Sequence, residues 1–542
     1  MGFFQSSNPN LYIAITLSII NGILLCFAGF KCLHIIQLSG YKISGYREWL
    51  SNTHARYISR LAMLSLMSLA CMLVTNALFQ VNNNRLYFSY FGLIFYFYFS
   101  IVFIVNMYAV QKKVPLVQTH RMTRLCVTLG FLIASLTFIL IAFATEYVGL
   151  LRFAVIALMP ITLPILVAVA HFTNLPFEIM LRKHFVRKAK NILKKRPDLI
   201  KIGITGSVGK TSVKYILNKM LSKKYSVCMS PHSFNTEMGL AKVITKYLEP
   251  NNQILIAEMG ATEVGDIAKL CKMIEPQHGI ITNVEVQHLL TFGSEENIAR
   301  TKNELSIAVN GMMVFNGDNL KSISLYEMRD RPKTYVSISN KKAPIYTKNI
   351  RCNSSGSNFT LMLNGQEIEC HTKLLGKHNI LNILLCTALA NYLGINAQDI
   401  CASIAELEAI PHRLEIKESN GMTIIDNSFN SSPTTSLATL EVVEKFKNKN
   451  KVFITPGLVE LGKLENEQNK ILGANIAKFC THCIIVNKTN EESIKSGLIE
   501  ANFSQDCIFC ASTIAEAVKL LNSLSLKNPL VIFENDLPDN YT

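Results

Sequence analysis

Acidic side chains are scarce in the first 200 residues. That stretch holds four, Glu48, Glu146, Glu178 and Asp198, against 19 lysines and arginines, so nearly all of the formal charge of +16 lies there. Residues 201–542 are close to neutral, and the basic balance gives no argument for a nucleic-acid partner. A cleavable leader is not expected either, because the first apolar run lacks a basic segment before it and four more runs follow. The 14 cysteines are scattered rather than set in the dense framework of a disulfide-stapled secreted domain. Reduced thiols in a cytosolic domain are therefore expected. The apolar runs hold no charged pair that would mark an ion path, which removes support for a transporter.

Five apolar runs are present: Leu11–Phe30, Leu61–Phe79, Leu86–Val110, Leu125–Ala144 and Phe153–Ala170. A bilayer core of about 30 Å takes roughly 20 apolar residues in a helix. The last run is short and contains Pro160 and Pro164. Lysines and arginines cluster between runs 1 and 2, between runs 3 and 4, and after run 5. With basic loops inside, the N-terminus lies outside and residues 171–542 in the cytoplasm. Residues 1–170 thus read as a multi-pass region of about five helices. Residues 171–199 read as a basic amphipathic connector near anionic headgroups, or equally as a solvated linker helix.

From Ile200 the pattern changes to short apolar strands alternating with helical stretches: "IKIGIT", "QILIAEMG", "HGIITNV" and "GMMVFNG". This is the rhythm of a mostly parallel sheet covered by helices. Residues 343–376 differ, with β-rich pieces around an Asn-Gly turn. A second series, "MTIID", "KVFITPG", "HCIIVN" and "PLVIFEN", begins near Gly421. The expected domains are 200–410 and 411–542. Cys480-x-x-Cys483 and Cys507-x-x-Cys510 together offer four thiols to zinc, but a helix running into a strand and a strand with alternating cysteines are poor substitutes for zinc knuckles.

The most chemical stretch is Gly206-Ser207-Val208-Gly209-Lys210-Thr211-Ser212, between an expected strand and helix. Backbone N–H groups and a helix start suit phosphate oxygens. Lys210 reaches β- and γ-phosphates, and Thr211 is a Mg²⁺ ligand in such loops. The spacing is an imperfect phosphate-loop pattern, since Ile204 stands where the strict form has glycine.

"GITGSVGKTS" resembles the ATP loop of the Mur ligase family, which joins amino acids or peptides to cell-wall precursors. Further segments follow in that family's order: "SFNTEMGL", "AEMGATEVGDI", "ITNVEVQHLLTFGSEENIARTKNEL", "GKHNILN", "PHRLE", "IIDNSFNSSP" and "GLVELG". They are most similar to the branch that adds D-Ala-D-Ala to a muramoyl tripeptide. The resemblance covers about residues 200–542 and implies a P-loop central domain with a Rossmann-like C-terminal domain that closes over ATP. It implies ATP- and Mg²⁺-dependent amide formation through an acyl phosphate, in peptidoglycan or other envelope-precursor synthesis. Glu258 and His288 would ligate Mg²⁺, and a carbamylated Lys302 would supply anionic oxygens for a second ion. His378, Asn379 and Asn382 would hold adenine, and Arg413 would steady the transferring phosphate. The amine would dock mainly on the C-terminal domain.

One departure stands out: where the family carries two aspartates, "IIDNSFNSSP" has Asp426 followed by Asn427. The ribose or phosphate contacts of the second carboxylate are thereby in question. The family's UDP-binding N-terminal domain is replaced by the apolar runs. The acceptor is then a UDP-linked precursor with the spans as an anchor, or a lipid-linked precursor or poly-γ-glutamate-type polymer at the membrane. A catalytically degenerate nucleotide-binding scaffold of a membrane complex is the rival from another class.

Overall fold

In a computed structural model, residues 9–52, 55–78, 85–108, 116–142, 149–231, 233–287, 289–429 and 431–535 are described. The chain divides into two compact units with the boundary between Arg182 and Lys183.

The first unit is helical. Among the described residues, four helices are long and apolar enough to cross a bilayer, within Leu11–Ala28, Tyr57–Thr75, His120–Ala142 and Ala154–Lys194. The expected third span is the helix Arg85–Tyr108, with Gly92–Met107 as its apolar stretch among the described residues. Two short helices that the sequence reading missed, Phe30–Leu38 and Ile43–Asn52, fill the first basic loop. The expected fifth span and most of the connector are one unbroken helix, Gly149–Lys194, despite Pro160, Pro164 and Pro176. Its irregularities find side-chain partners: Tyr46 Oη donates to the Pro164 carbonyl at 3.0 Å, and Ile161 N to Ser65 Oγ at 3.2 Å. Large apolar side chains such as Ile19, Ile23, Val127 and Phe131 point outward, while Asn21, Thr137 and Tyr96 bond one another inside. The interior is otherwise apolar, with Leu25, Ile36, Leu129 and Leu163 buried, so large apolar side chains lie on both the inside and the outside of the helices, as a bilayer environment permits.

The second unit holds two sheets. The first contains β1 (Ile200–Thr205), β2 (Val227–Met229), β3 (Ile254–Glu258), β4 (His278–Ile281), β5 (Met313–Asn316), β6 (Lys333–Ser337), β7 (Ile345–Asn353), β8 (Gly356–Leu363) and β9 (Gln366–Thr372). Their order is β2-β3-β1-β4-β5-β6-β7-β8-β9, parallel up to β7 and antiparallel beyond. The β-rich stretch 343–376 is therefore an extension of the same sheet, and Asn364 and Gly365, both at positive φ, make the tight turn between β8 and β9. Alternate residues serve opposite faces: Ile254 and Ile256 join one core, Leu255 and Ala257 the other. Strands buried on both faces need these continuous apolar runs.

The second sheet comprises β10 (Glu415–Ser419), β11 (Met422–Asn427), β12 (Lys451–Thr455), β13 (His482–Val486), β14 (Ile508–Ala511) and β15 (Leu530–Glu534), in the order β10-β11-β15-β12-β13-β14. All neighbours are parallel except the edge pair β10–β11. Cys480 and Cys483 lie in its hydrophobic core, while Cys507 ends a short 3₁₀ turn instead of sitting in a strand and Cys510 is exposed on β14. Among the described residues, no three of these sulfurs come within 4.8 Å of one another.

Candidate active site

In the first sheet β1 lies between β3 and β4, so the chain departs to one side and later continues on the other. The carboxyl ends of strands at such a switch point form a natural crevice. The loop Gly206–Gly209 leaves β1 there and enters the helix Lys210–Leu221. Gly206 has φ +147, and a Cβ there would overlap the Thr282 hydroxyl. Ser207 N donates to Asn283 O at 3.0 Å and Val208 N to Asn283 Oδ1 at 2.8 Å, so two of the loop's amides are held by the strand-end segment after β4. The first helical bond is Val213 N to Gly209 O. The amides of Lys210, Thr211 and Ser212 thus precede the ladder, where a helix start presents donors to an anion. Lys210 Nζ bridges the carbonyls of Gly206 and Ser207, both at 2.7 Å.

Around this loop the charges are mostly positive and mostly buried. Glu258, at the end of β3, takes Asn235 Nδ2 on one oxygen and Lys214 Nζ on the other, each at 3.1 Å. Burial lowers Lys210 to about 8, with Glu258 opposing and Arg413 adding to the shift. Burial also lowers Lys214 and Arg413, and Glu258 attracts both. Lys302 lies on the buried stripe Ile298, Thr301, Lys302, Leu305 of the helix Glu295–Ala308, not on its surface, and its ammonium stands 5.7 Å from the Phe292 ring centre. Burial first, then Lys210, pushes Lys302 down to about 7. Buried cations in excess of carboxylates are costly unless an anion completes the set. A triphosphate has that charge.

The helix Lys377–Tyr392 brings the expected adenine side to the loop. A Cβ on Gly209, which has φ +84, would come to 2.9 Å from Asn382 Oδ1. Asn379 Nδ2 donates to Leu375 O at 2.9 Å, and Asn382 Nδ2 faces Asn379 Oδ1 at 3.4 Å. Burial lowers the His378 imidazole to about 4, so it is neutral near pH 7.

The second sheet contributes Arg413. Its Nη2 donates to Thr211 Oγ1 at 3.1 Å, and its guanidinium lies 4.5 Å from the Phe429 ring centre. Residues on either side of it, His412 and Leu414, have φ of 63 and 51. Asp426 and Asn427 hold this turn: His412 Nδ1 meets Asp426 Oδ2 at 2.9 Å, and Leu414 N donates to Asn427 Oδ1 at 3.3 Å. The side chains read as ribose or phosphate contacts are thus engaged with the backbone and histidine flanking Arg413. His288 lies outside the described residues.

The sequence reading missed Lys214, Asn235, Asn283 and Glu534. Lys214 had a signal, since it stands four residues after Lys210 on one helix face. Glu534 belongs to no motif that was recognised. The oxygen donors Thr211 and Glu258 suit Mg²⁺, which prefers hard oxygen ligands.

Comparison with known proteins follows the same residues. Residues 204–390 match the Mur ligase middle domain. The UDP-N-acetylmuramoyl-tripeptide–D-alanyl-D-alanine ligase of Bacillus subtilis is 31% identical over 280 residues, 51% of this chain and 60% of that protein. This chain therefore spans under two thirds of the length of that relative. The structure of MurF from Acinetobacter baumannii superposes with a TM-score of 0.60 at 20% identity, covering 66% of this chain and 78% of that one. MurF ligase from Thermotoga maritima in complex with ADP gives 0.58 at 24% identity, covering 66% and 80%. At these identities the superpositions speak for the fold. Sequence and fold agree on one likeness: residues 204–390 match the Mur ligase middle domain, and the α/β fold around them is that of the MurF structures.

Proposed function

We propose that this protein is a membrane-anchored, ATP- and Mg²⁺-dependent carboxylate–amine ligase that extends an envelope precursor by an amino acid or dipeptide such as D-Ala-D-Ala. The observation that carries the reading is the group of buried cations, Lys210, Lys214 and Arg413 around Glu258 with Lys302 beside Lys210, at a phosphate loop bridged by Arg413.

In this reading Lys210 and the amides of Lys210, Thr211 and Ser212 bind the triphosphate, and Asn379 and Asn382 line the base. Mg²⁺, held by Thr211, Glu258, His288 and a carbamylated Lys302, would neutralise charge on the phosphate oxygens. The acceptor carboxylate attacks the γ-phosphorus and ADP leaves. An amine then attacks the acyl carbon, phosphate departs, and the nitrogen loses a proton. Arg413 faces the transferred group as a fork of donors. The apolar helices of residues 1–170, with the N-terminus outside, and the basic segment 171–199 keep domains 200–410 and 411–542 at the cytoplasmic face.

The test is phosphate release by the detergent-solubilised chain with Mg²⁺-ATP. Acceptors are UDP-muramoyl tripeptide or a membrane lipid extract, each with and without D-Ala-D-Ala, with Lys302→Ala as control. Turnover that needs the amine supports the ligase. Turnover with the soluble nucleotide makes the spans an anchor, and turnover only with lipid makes them part of acceptor recognition. ATP binding without turnover on any carboxylate acceptor would favour the scaffold.

A further inference from the structure

Asn427 is a place where this chain departs from the Mur ligase pattern it resembles, and the structure supplies a physical reason for the amide. β11 and β15 are parallel neighbours in which Asn427 is paired with Glu534. Glu534 is fully buried. Its Oε1 accepts from Ser431 Oγ at 2.6 Å and Ser436 Oγ at 3.1 Å, and its Oε2 accepts from Asn427 Nδ2 at 2.9 Å. The second Nδ2 hydrogen of Asn427 goes to Thr439 Oγ1 at 3.0 Å. Its Oδ1 accepts from Leu414 N. Both hydrogens of this amide and its oxygen are engaged, and the orientation is fixed at one end by a backbone N–H that can only donate.

An aspartate at 427 cannot reproduce this. It would set two carboxylates about 3 Å apart beside the buried Glu534, where both cannot stay ionised; one must take up a proton, and the pair then has a single O–H where the amide supplies two donors. What the amide supports matters as well. Leu414 at φ 51 is a bulky residue in the left-handed region, and His412 at φ 63 is a second one on the far side of Arg413. Such conformations persist only where the surroundings over-determine them. Asp426 holds His412, Asn427 holds Leu414, and Phe429 N donates to His412 O at 3.4 Å.

We propose that Glu534 and Asn427 form a carboxylate–amide pair that positions Arg413 against Thr211, so that Asn427 is a matched partner of Glu534 and not a lost carboxylate. Arg413's part in phosphoryl transfer rests on the function proposed above; the positioning itself does not.

The test uses the full chain in detergent and reads amide hydrogen exchange in the peptide covering 410–416. Asn427→Asp should speed exchange there by at least about tenfold, the loss of one buried hydrogen bond. Adding Glu534→Gln to Asn427→Asp exchanges amide and carboxylate between the two positions and restores the bond between them and the acceptor for Leu414 N, leaving only the donor to Thr439 Oγ1 missing, so protection should return to within about threefold of the wild type. Asn427→Asp with unchanged protection would overturn the proposal. So would a double variant as unprotected as the single one. Under the proposed ligase activity, Asn427→Asp should lower kcat with KM for ATP nearly unchanged, and the double variant should recover it. If no acceptor is turned over even by the wild type, the exchange result still decides the pairing and only the ligase reading fails.

Discussion

Arg413 Nη2 and Thr211 Oγ1, 3.1 Å apart, join the second sheet to the phosphate loop of the first. The bond spans 202 positions of sequence and puts a guanidinium at the start of the helix that would meet the γ-phosphate. A planar fork of donors is hard to replace at such a point.

Arg413→Lys should therefore behave almost like Arg413→Ala. Both are expected to lower phosphate release by about 10²–10³-fold while ATP affinity changes only a few-fold, as when a single transition-state donor is removed. Parallel turnover and calorimetric binding measurements check this. Near-normal turnover in the lysine variant would remove Arg413 from the transferring group.

The phosphate loop makes a sharper geometric prediction. Gly206 and Gly293 both have positive φ, but a Cβ on Gly206 would overlap the Thr282 hydroxyl, whereas nothing lies within 4 Å at Gly293. Gly206→Ala should abolish ATP binding by displacing the loop. Gly293→Ala should cost only about 1 kcal/mol of backbone strain and leave nucleotide affinity intact. Equal effects would mean that backbone freedom matters at Gly206 and close approach does not.

Lys214 and Glu258 are both buried, at 0% and 2% side-chain exposure, with Nζ and Oε2 3.1 Å apart. Removing one partner of such a pair strands the other charge. Lys214→Met is expected to destabilise the unit by about 3–5 kcal/mol. The double variant Lys214→Met, Glu258→Gln should recover most of that loss, because no buried charge remains unpaired. Denaturation of the solubilised chain monitored near this helix gives the comparison. A double variant no better than the single would show that the loss came from packing of the lysine stem.

These residues also show what the sequence made legible. The strands β1, β3, β4 and β5 and the phosphate loop are local patterns, an apolar run followed by a glycine turn, and each needs only its own neighbours. The apolar helices were equally plain, since lipid-length runs announce themselves. The unbroken helix Gly149–Lys194 was not, because Pro160, Pro164 and Pro176 read as breaks until tertiary partners such as Tyr46 and Ser65 are known. Lys302 illustrates a second limit. Burial is decided by what packs against the helix, so a lone lysine in "NIARTKNEL" gives no sign that its neighbours Ile298 and Leu305 carry it inward. The Glu534–Asn427 pair lies beyond sequence reading for the same reason, being a contact between strands 107 positions apart.

Lys302 makes the last prediction, one of pH. Its pKa in the folded chain is about 7, against an ordinary lysine value of 10.5, chiefly through burial. The folded state thus binds fewer protons than the unfolded state between those values, and stability rises with pH across that window. The buried amine is charged below about pH 7 and neutral above it, and only the neutral amine has the lone pair that captures CO₂ as a carbamate. Carbamate at Lys302 should therefore increase steeply from pH 6 to 8. ¹³C-bicarbonate NMR of the solubilised chain should show a carbamate resonance at pH 8 that shrinks at pH 6 and is missing in Lys302→Met. In the same variant the melting temperature should rise less between pH 7 and 9 than in the wild type, since the main proton-releasing group of that range is gone. Lys210, lowered to about 8, gives a residual slope of the same sign. A carbamate resonance independent of pH, or one that survives Lys302→Met, would place the modification elsewhere; its absence at pH 8 would leave Lys302 as a neutral buried amine and Glu258 as the remaining anionic oxygen donor among the described residues proposed for Mg²⁺.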